Sequence, residues 1–276
     1  MAINLKVLWK RVLTTVFGIA IVGSIVLLLP KYYFIILLIA LSAVGHFEIK
    51  NLAKGFNFHY YLVPAILLTL YGFLTFYTPF SLTLLPYLSL LLLSLWVLYF
   101  NKNNGQSMPL LGIQFVGLSY LCAAFLSLAG IFLLDDAHGE FIGRKLVVFF
   151  FFIVWMGDSF AYLIGSSCGR HKIAPNVSPN KSWEGALGNL LGNLTATCVA
   201  KTSFLPFLSY QDCVYLGVIF FLLGFFGDLI ESSWKRGAGI KDSSHLFPGH
   251  GGVLDRIDSI FLTGPIFFGY FYYILL

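Results

Sequence analysis

The chain has 276 residues, 58% of them apolar and 11% charged, with a mean hydropathy of +0.86 and a formal net charge of +5. Soluble domains carry about 45–50% apolar residues, so this composition excludes one and predicts a polytopic membrane protein. The positive charge does not point to nucleic acid, because apolar runs interrupt the basic residues and leave no continuous solvated face.

Polar punctuation divides the sequence into nine expected spans of an all-α bundle, near residues 12–29, 32–47, 60–78, 81–100, 110–134, 145–166, 185–200, 213–233 and 259–276. The first follows the basic start MAINLKVLWKR, but no small-residue cleavage site succeeds it, so it reads as a retained span. The first five spans carry few ionisable residues. Residues 1–144 therefore read as membrane scaffold and 145–276 as a catalytic membrane region, within one integral unit. His46, Glu48 and His59 are read as interfacial residues without a role, and Asp135, Asp136 and Glu140 as a solvated loop. The seventh span, GALGNLLGNLTATCVA, holds two Asn and three Gly and is expected to need protein rather than lipid around part of it. Gly165 with Gly169, and Gly188 with Gly192, have the GxxxG spacing of close helix contact. Cys122, Cys168, Cys198 and Cys213 lack CxxC spacing and read as free thiols.

The positive-inside rule orients the nine spans. With the N-terminus cytoplasmic, that side receives Lys6, Lys10, Arg11, Lys50, Lys54, Lys102, Arg170, Lys172, Lys181, Lys235, Arg236, Lys241 and Arg256, and the other receives Lys31, Arg144, Lys145 and Lys201; these are all 17 basic residues. The long connections 165–184 and 234–258 then face the cytoplasm. Long loops in a tightly connected protein usually carry function.

Charge gathers in those two loops. SSWKRGAGIKDSSHLFPGHGGVLDRIDS, Ser232 to Ser259, contains Lys235, Arg236, Lys241, Asp242, Asp255, Arg256 and Asp258 with His245 and His250. An ionised carboxylate inside a span is costly, so Asp158 and Asp228, which both interrupt apolar runs, are expected to face a partner or a wet cavity. Glu231 and Lys235 continue the helical face of Asp228; a simple Glu231–Lys235 pair with Asp228 as a buried acceptor is the plainer alternative. Asp255 and Asp258, three residues apart before the last span, would point one way on a helix, and helix capping is an alternative explanation for both. Asp228, Asp255 and Asp258 supply the hard oxygen ligands that suit Mg²⁺ together with substrate phosphates. The cations nearby, and the glycines of PGHGG, suit phosphate oxygens; a basic cluster that only touches lipid headgroups is the competing explanation. In CGRHKIAPNVSPNKSWEG, Ser182 is a candidate cap for the helix starting near Glu184, whereas capping does not explain Lys181. No GxxxxGK[ST] loop is present.

The ordered run of Ser232, Lys235, Arg236, Lys241, Asp242, Ser244, Phe247, Pro248, His250, Gly251, Gly252, Val253, Asp255, Arg256, Ile257 and Asp258 closely resembles the signature of phosphatidate cytidylyltransferases, also called CDP-diacylglycerol synthases. GDSFAYLIGSSCGRHKIAPNVSPNKSWEG resembles the companion region, so the specific likeness covers residues 155–260. Trp234 departs from the aliphatic residue or Phe usual in the family. The resemblance implies an integral inner-membrane enzyme that makes CDP-diacylglycerol and pyrophosphate from CTP and phosphatidate. A homodimer is expected on the same ground, as is a divalent metal, Mg²⁺, with the number of cations left open. The resemblance implies metal ligation by Asp228, Asp255 and Asp258, and catalytic roles for Lys235, Arg236, Lys241 and Asp255. Asp158, Ser178, Lys181, Ser182, His250, Gly251, Gly252 and Arg256 would bind substrate, with Pro179 completing the SPxKS element. Membrane lipids are expected partners and nucleic acid is not. Two other classes stay open: a cation-coupled transporter using Asp158 and Asp228, and a CTP-dependent enzyme acting on another lipid phosphate.

Overall fold

The computed structural model describes residues 18, 20–75, 79–100, 106–134, 141–247, 249 and 251–275. The expected substrate ligand His250, the loop acids Asp135, Asp136 and Glu140, and the basic residues Lys6, Lys10, Arg11 and Lys102 lie outside them. So does the first expected span up to residue 17.

The described residues are nearly all helical. After α1 (20–28) come α2 (Lys31–Gly55), α3 (Leu62–Thr75), α4 (Pro79–Phe100), α5 (Ser107–Leu133) and α6 (Ile142–Cys168). A hairpin of β1 (Lys172–Ala174) and β2 (Ser178–Ser182) follows, then α7 (Trp183–Ser203), α8 (Tyr210–Gly237), the single turn α9 (Leu254–Ile257), α10 (Ile260–Tyr270) and a π-helical turn, Phe271–Leu275. Among the described residues, α2, α5, α6 and α8 are long and apolar enough to cross a membrane, and Leu62–Leu74, Leu88–Phe100 and Ile260–Tyr273 are shorter apolar helices.

Two expectations need correction. Among the described residues the nearly all-α class has one two-stranded sheet as its exception, the antiparallel hairpin, which pairs Lys172 with Ser182 and Ala174 with Ser178. Pro175 sits just inside a turn closed by Val177 N–H on the Ala174 carbonyl at 3.1 Å. Proline presets that corner, and Pro175 and Pro179 both oppose a helix there. The second correction concerns α2, which runs past residue 47 to Gly55. His46 and Glu48 are therefore inside a helix, and they are 0% and 3% exposed rather than interfacial.

The chain forms two compact units, Met1–Gly130 with Trp234–Ile257, and Ile131–Ser233 with Asp258–Leu276. In the first unit, α2 and α3 are tied by His46, whose Nδ1 meets the Tyr60 hydroxyl at 2.9 Å and whose Nε2 meets Thr69 Oγ1 at 2.8 Å. Leu68, Leu93 and Leu118 pack together beside these groups, with Leu111 and Cys122 against them. Burying polar atoms among such neighbours is tolerable only because they are hydrogen-bonded.

The core of the second unit is aromatic. Phe267 lies 5.8 Å from Phe149, 5.2 Å from Phe150, 5.5 Å from Phe220 and 4.7 Å from Phe271, ring centre to ring centre. Here α6 and α7 run in close contact: a Cβ on Gly188 would lie 2.7 Å from the Phe160 carbonyl oxygen, and one on Gly192 2.5 Å from that of Met156. The glycine spacing thus does serve helix contact. On α7 the amides of Asn189 and Asn193 bond each other at 3.0 Å, and Asn193 is buried. The polar seventh span accordingly has protein along one face, while Leu187 and Leu191 remain exposed. All four cysteines are free.

Candidate active site

In the first unit the signature begins as α8 stops. Gly239, at φ +72°, donates its N–H to the Arg236 carbonyl at 3.0 Å, and Ile240 N–H reaches the Lys235 carbonyl at 2.9 Å. This pair of bonds is a Schellman end, which needs a residue of left-handed backbone and so favours glycine. Arg236 is exposed, and its Nη1 donates to the Ile240 carbonyl at 3.0 Å, which stiffens the same corner.

The following loop folds around two buried carboxylates. Asp255, 8% exposed, accepts at Oδ1 from Lys235 Nζ at 2.5 Å. Its Oδ2 accepts from Ser243 N–H at 2.9 Å, Ser243 Oγ at 2.7 Å and Gly252 N–H at 2.7 Å. Burial opposes ionisation of Asp255, but the Gly252 amide, the Lys235 ammonium and the Ser243 donors outweigh it and hold the carboxyl below its ordinary range. Gly251 has φ +77°, and a Cβ there would lie 2.8 Å from Asp255 Cγ. The glycines of PGHGG therefore serve the turn and the approach to Asp255, and the Gly252 amide is directed at a protein carboxylate.

The second buried carboxylate is Glu48. Oε1 accepts from Ser244 Oγ at 2.7 Å and Val253 N–H at 2.9 Å; Oε2 accepts from Ser243 Oγ at 2.9 Å and Leu254 N–H at 2.9 Å. A buried donor left without such a partner costs about 1–3 kcal/mol. Tyr120 supports the same segment, donating to the Leu254 carbonyl at 3.4 Å, with its ring 5.5 Å from that of Trp234. The departure at Trp234 is thus a packing feature. Lys241 and Arg256 flank the loop and are exposed.

In the second unit the hairpin is fixed by Glu184, which accepts from Arg170 N–H at 3.1 Å and meets His171 Nδ1 at 2.6 Å. The His171 bond, with backbone amides in support, takes the Glu184 carboxyl from its ordinary 4.5 down to about 2. Ser182 caps α7 as expected, its Oγ accepting from Gly185 N–H at 3.2 Å. Ser178 pairs with Ala174 at the turn. The hairpin thereby delivers Lys181 to Asp228, Nζ to Oδ2 2.6 Å, while Ser232 Oγ donates to Asp228 Oδ1 at 3.1 Å. Lys181 also lies 5.0 Å from the centre of the Phe225 ring. Asp158 is exposed on α6. Asp258 lies in the turn before α10, where its Oδ1 accepts from Ser259 N–H at 2.7 Å. A Cβ on Gly227 would come within 3.3 Å of the Asp258 carbonyl carbon, so the α8 residue preceding Asp228 lies against Asp258.

Among the described residues, no three His, Cys, Asp or Glu side chains gather closely enough to hold a metal ion. Asp228 and Asp258 have the donor chemistry for a hard cation. Asp255 is approached by three donor groups at Oδ2 and by Lys235 at Oδ1, so a cation ligated by it would share Oδ1 with that ammonium.

The residue missed from sequence is Glu48. The cost of a carboxylate within an apolar run, which singles out Asp158 and Asp228, applies equally to SAVGHFEIK, but the position near an expected span end disguised it.

The sequence profile described as the cytidylyltransferase family matches residues 9–274. A Haemophilus influenzae protein named phosphatidate cytidylyltransferase is 42% identical over 143 residues, 50% of this chain and 49% of its own length. One of the same name from Staphylococcus saprophyticus is 34% identical over 187 residues, 65% of each chain. An Escherichia coli protein named YnbB, described as uncharacterized, is 40% identical over 131 residues, 48% of this chain and 44% of its own. The chain thus spans about half to two thirds of the length of these curated relatives.

Proposed function

Because the chain belongs to the cytidylyltransferase family, we propose that it transfers a cytidylyl group from CTP to phosphatidate at the cytoplasmic membrane face. The products are CDP-diacylglycerol and pyrophosphate. The names of the Haemophilus and Staphylococcus relatives support phosphatidate as acceptor. One observation carries the reading at the site: Lys181 is held by Asp228 and Lys235 by Asp255, at 2.6 and 2.5 Å. Ammonium groups held by carboxylates at a polar loop are poised to exchange those partners for phosphate oxygens.

In this proposal a phosphatidate oxygen forms the new bond to the α-phosphorus of CTP, and the bond from that phosphorus to pyrophosphate breaks. The lipid phosphate is already an anion, so no strong protein base is needed. The work of the chain is to bring two polyanions together and to take up the leaving charge. Lys181, Lys235, Arg236, Lys241 and Arg256 are the cations assigned to phosphate oxygens, with Ser178 and Ser182 shaping the hairpin that carries Lys181. Asp228, Asp255 and Asp258 are the carboxylates that would hold Mg²⁺. Bound there, Mg²⁺ would offset phosphate charge and polarise the α-phosphorus. Nine spans, a cytoplasmic N-terminus, a plasma-membrane location and a homodimer complete the proposal.

The test uses purified protein in detergent, short-chain phosphatidate and CTP labelled at the α-phosphate. Metal-dependent movement of label into lipid with release of pyrophosphate is expected, together with loss of most turnover in Asp228→Asn and Asp258→Asn. No transfer by a folded preparation, to phosphatidate or to other lipid phosphates, would overturn the reading. Wild-type turnover in both variants at unchanged Mg²⁺ would remove the metal assignment.

A further inference from the structure

Glu48 is the least expected feature of the first unit. It belongs to a helix of 25 residues whose sequence otherwise reads as an apolar span, and it lies 195 residues before its first partner, Ser243. Its carboxylate meets the two ends of one loop. Ser243 and Ser244 approach from one side and the amides of Val253 and Leu254 from the other, two donors on each oxygen. Between these ends, among the described residues, lie the isolated bridge of Phe247 N–H to the Gly251 carbonyl at 2.9 Å and a bond from Leu246 N–H to Ser244 Oγ at 3.3 Å. The base of the loop is therefore closed by two carboxylates, Asp255 at its own C-terminal end, which joins Ser243 to Gly252, and Glu48 from a distant helix, which joins Ser243 and Ser244 to Val253 and Leu254.

We infer that Glu48 is a positioning residue for cytidylyl transfer: it clamps the base of the 243–254 loop and so fixes Lys241 and Arg256, which flank that loop, for phosphate. This rests on the function proposed above. Four donor groups surround the buried carboxylate, two at each oxygen, so Glu48 neither ligates a metal nor touches substrate as placed. Its effect is transmitted. Ser243 Oγ lies 2.9 Å from Glu48 Oε2 and 2.7 Å from Asp255 Oδ2, yet a hydroxyl has one proton to give. The clamp and the Lys235–Asp255 pair thus share a donor, and a change at Glu48 alters what Ser243 offers to Asp255. Gly252 fits the same crowded space, because a Cβ there would lie 2.6 Å from Glu48 Cδ.

Glu48→Gln tests this with little change of shape. Whichever way the amide turns, its NH₂ faces one serine hydroxyl and one backbone amide that both donate to the carboxylate, and the backbone amide cannot reverse. Two readouts are needed. Hydrogen exchange should accelerate in peptides covering 243–256 and stay unchanged in the 169–182 hairpin. The KM for CTP should rise about fivefold or more, with a fall in kcat of about tenfold. A merely destabilised enzyme would lose active molecules, which lowers kcat and leaves KM alone. Ser244→Ala removes one of the bonds to Glu48, together with the longer contact from Leu246 N–H, and should give the same changes on a smaller scale, so the test survives if Glu48→Gln does not fold. Wild-type exchange and wild-type KM in a folded Glu48→Gln, or in Ser244→Ala when Glu48→Gln does not fold, would overturn the inference. If the wild-type protein transfers no cytidylyl group, the proposed function fails. The exchange measurement then still decides whether Glu48 clamps the loop.

Discussion

Gly239 and Gly252 are both glycines of the signature segment, and they are glycine for different reasons. Gly239 has positive φ in open space, where an added methyl would meet nothing within 4 Å, whereas Gly252 faces Glu48 and Ser243 at close range. Gly239→Ala should therefore lose only the backbone term, about 1–2 kcal/mol, and keep its turnover. Gly252→Ala should add overpacking of about 1–3 kcal/mol and also lose most turnover, because the intruding methyl displaces the Glu48 and Ser243 bonds. Thermal unfolding in detergent, run beside the label-transfer assay, separates the two. At this scale the sequence was legible where chemistry is local. Ser182 as a cap follows from its neighbours alone, and the charge of Lys181 beyond what capping needs was visible in the same stretch. Glu48 was legible only as a costly carboxylate beside an apolar run; its donors come from positions 243 to 254, and no local pattern announces a partner so far along the chain.

Among the elements, α7 and the hairpin before it make separate demands. Gly192 lies against the Met156 carbonyl, so Gly192→Leu must force α6 and α7 apart; a loss of about 1–3 kcal/mol or more is expected, read as a lowered unfolding temperature. The hairpin responds to pH instead. The Glu184 carboxyl is depressed in the folded state from 4.5 to about 2, so its contribution is complete above the unfolded value and is lost as pH falls through that interval. Cleavage by pepsin within residues 169–182, relative to a free peptide of the same sequence, should rise as pH falls from 4.5 towards 2. Glu184→Gln should be cleaved more readily above that interval and lose the pH step. Helix positions were readable because long Leu and Phe runs leave few alternatives, and from α3 onward the observed bounds fall close to the expected ones, whereas α2 runs on from the expected end at residue 47 to Gly55. The hairpin was visible only as a turn-rich loop, since its strands are 3 and 5 residues long and polar, too short for an alternating pattern.

For the whole molecule, the distribution of Lys and Arg makes the most direct prediction. In a cysteine-free background, Asp242→Cys and Lys172→Cys should react with a membrane-impermeant maleimide only after the cells are opened, while Gln211→Cys should react in intact cells. The reverse pattern would invert the proposed topology. The distance in sequence between Glu48 and the loop it clamps also bears on how the chain is made. The ribosome completes α2 long before it reaches Val253, so a carboxylate that is 3% exposed in the finished fold spends most of synthesis without its four donors. In that interval it needs water, a proton or a borrowed partner.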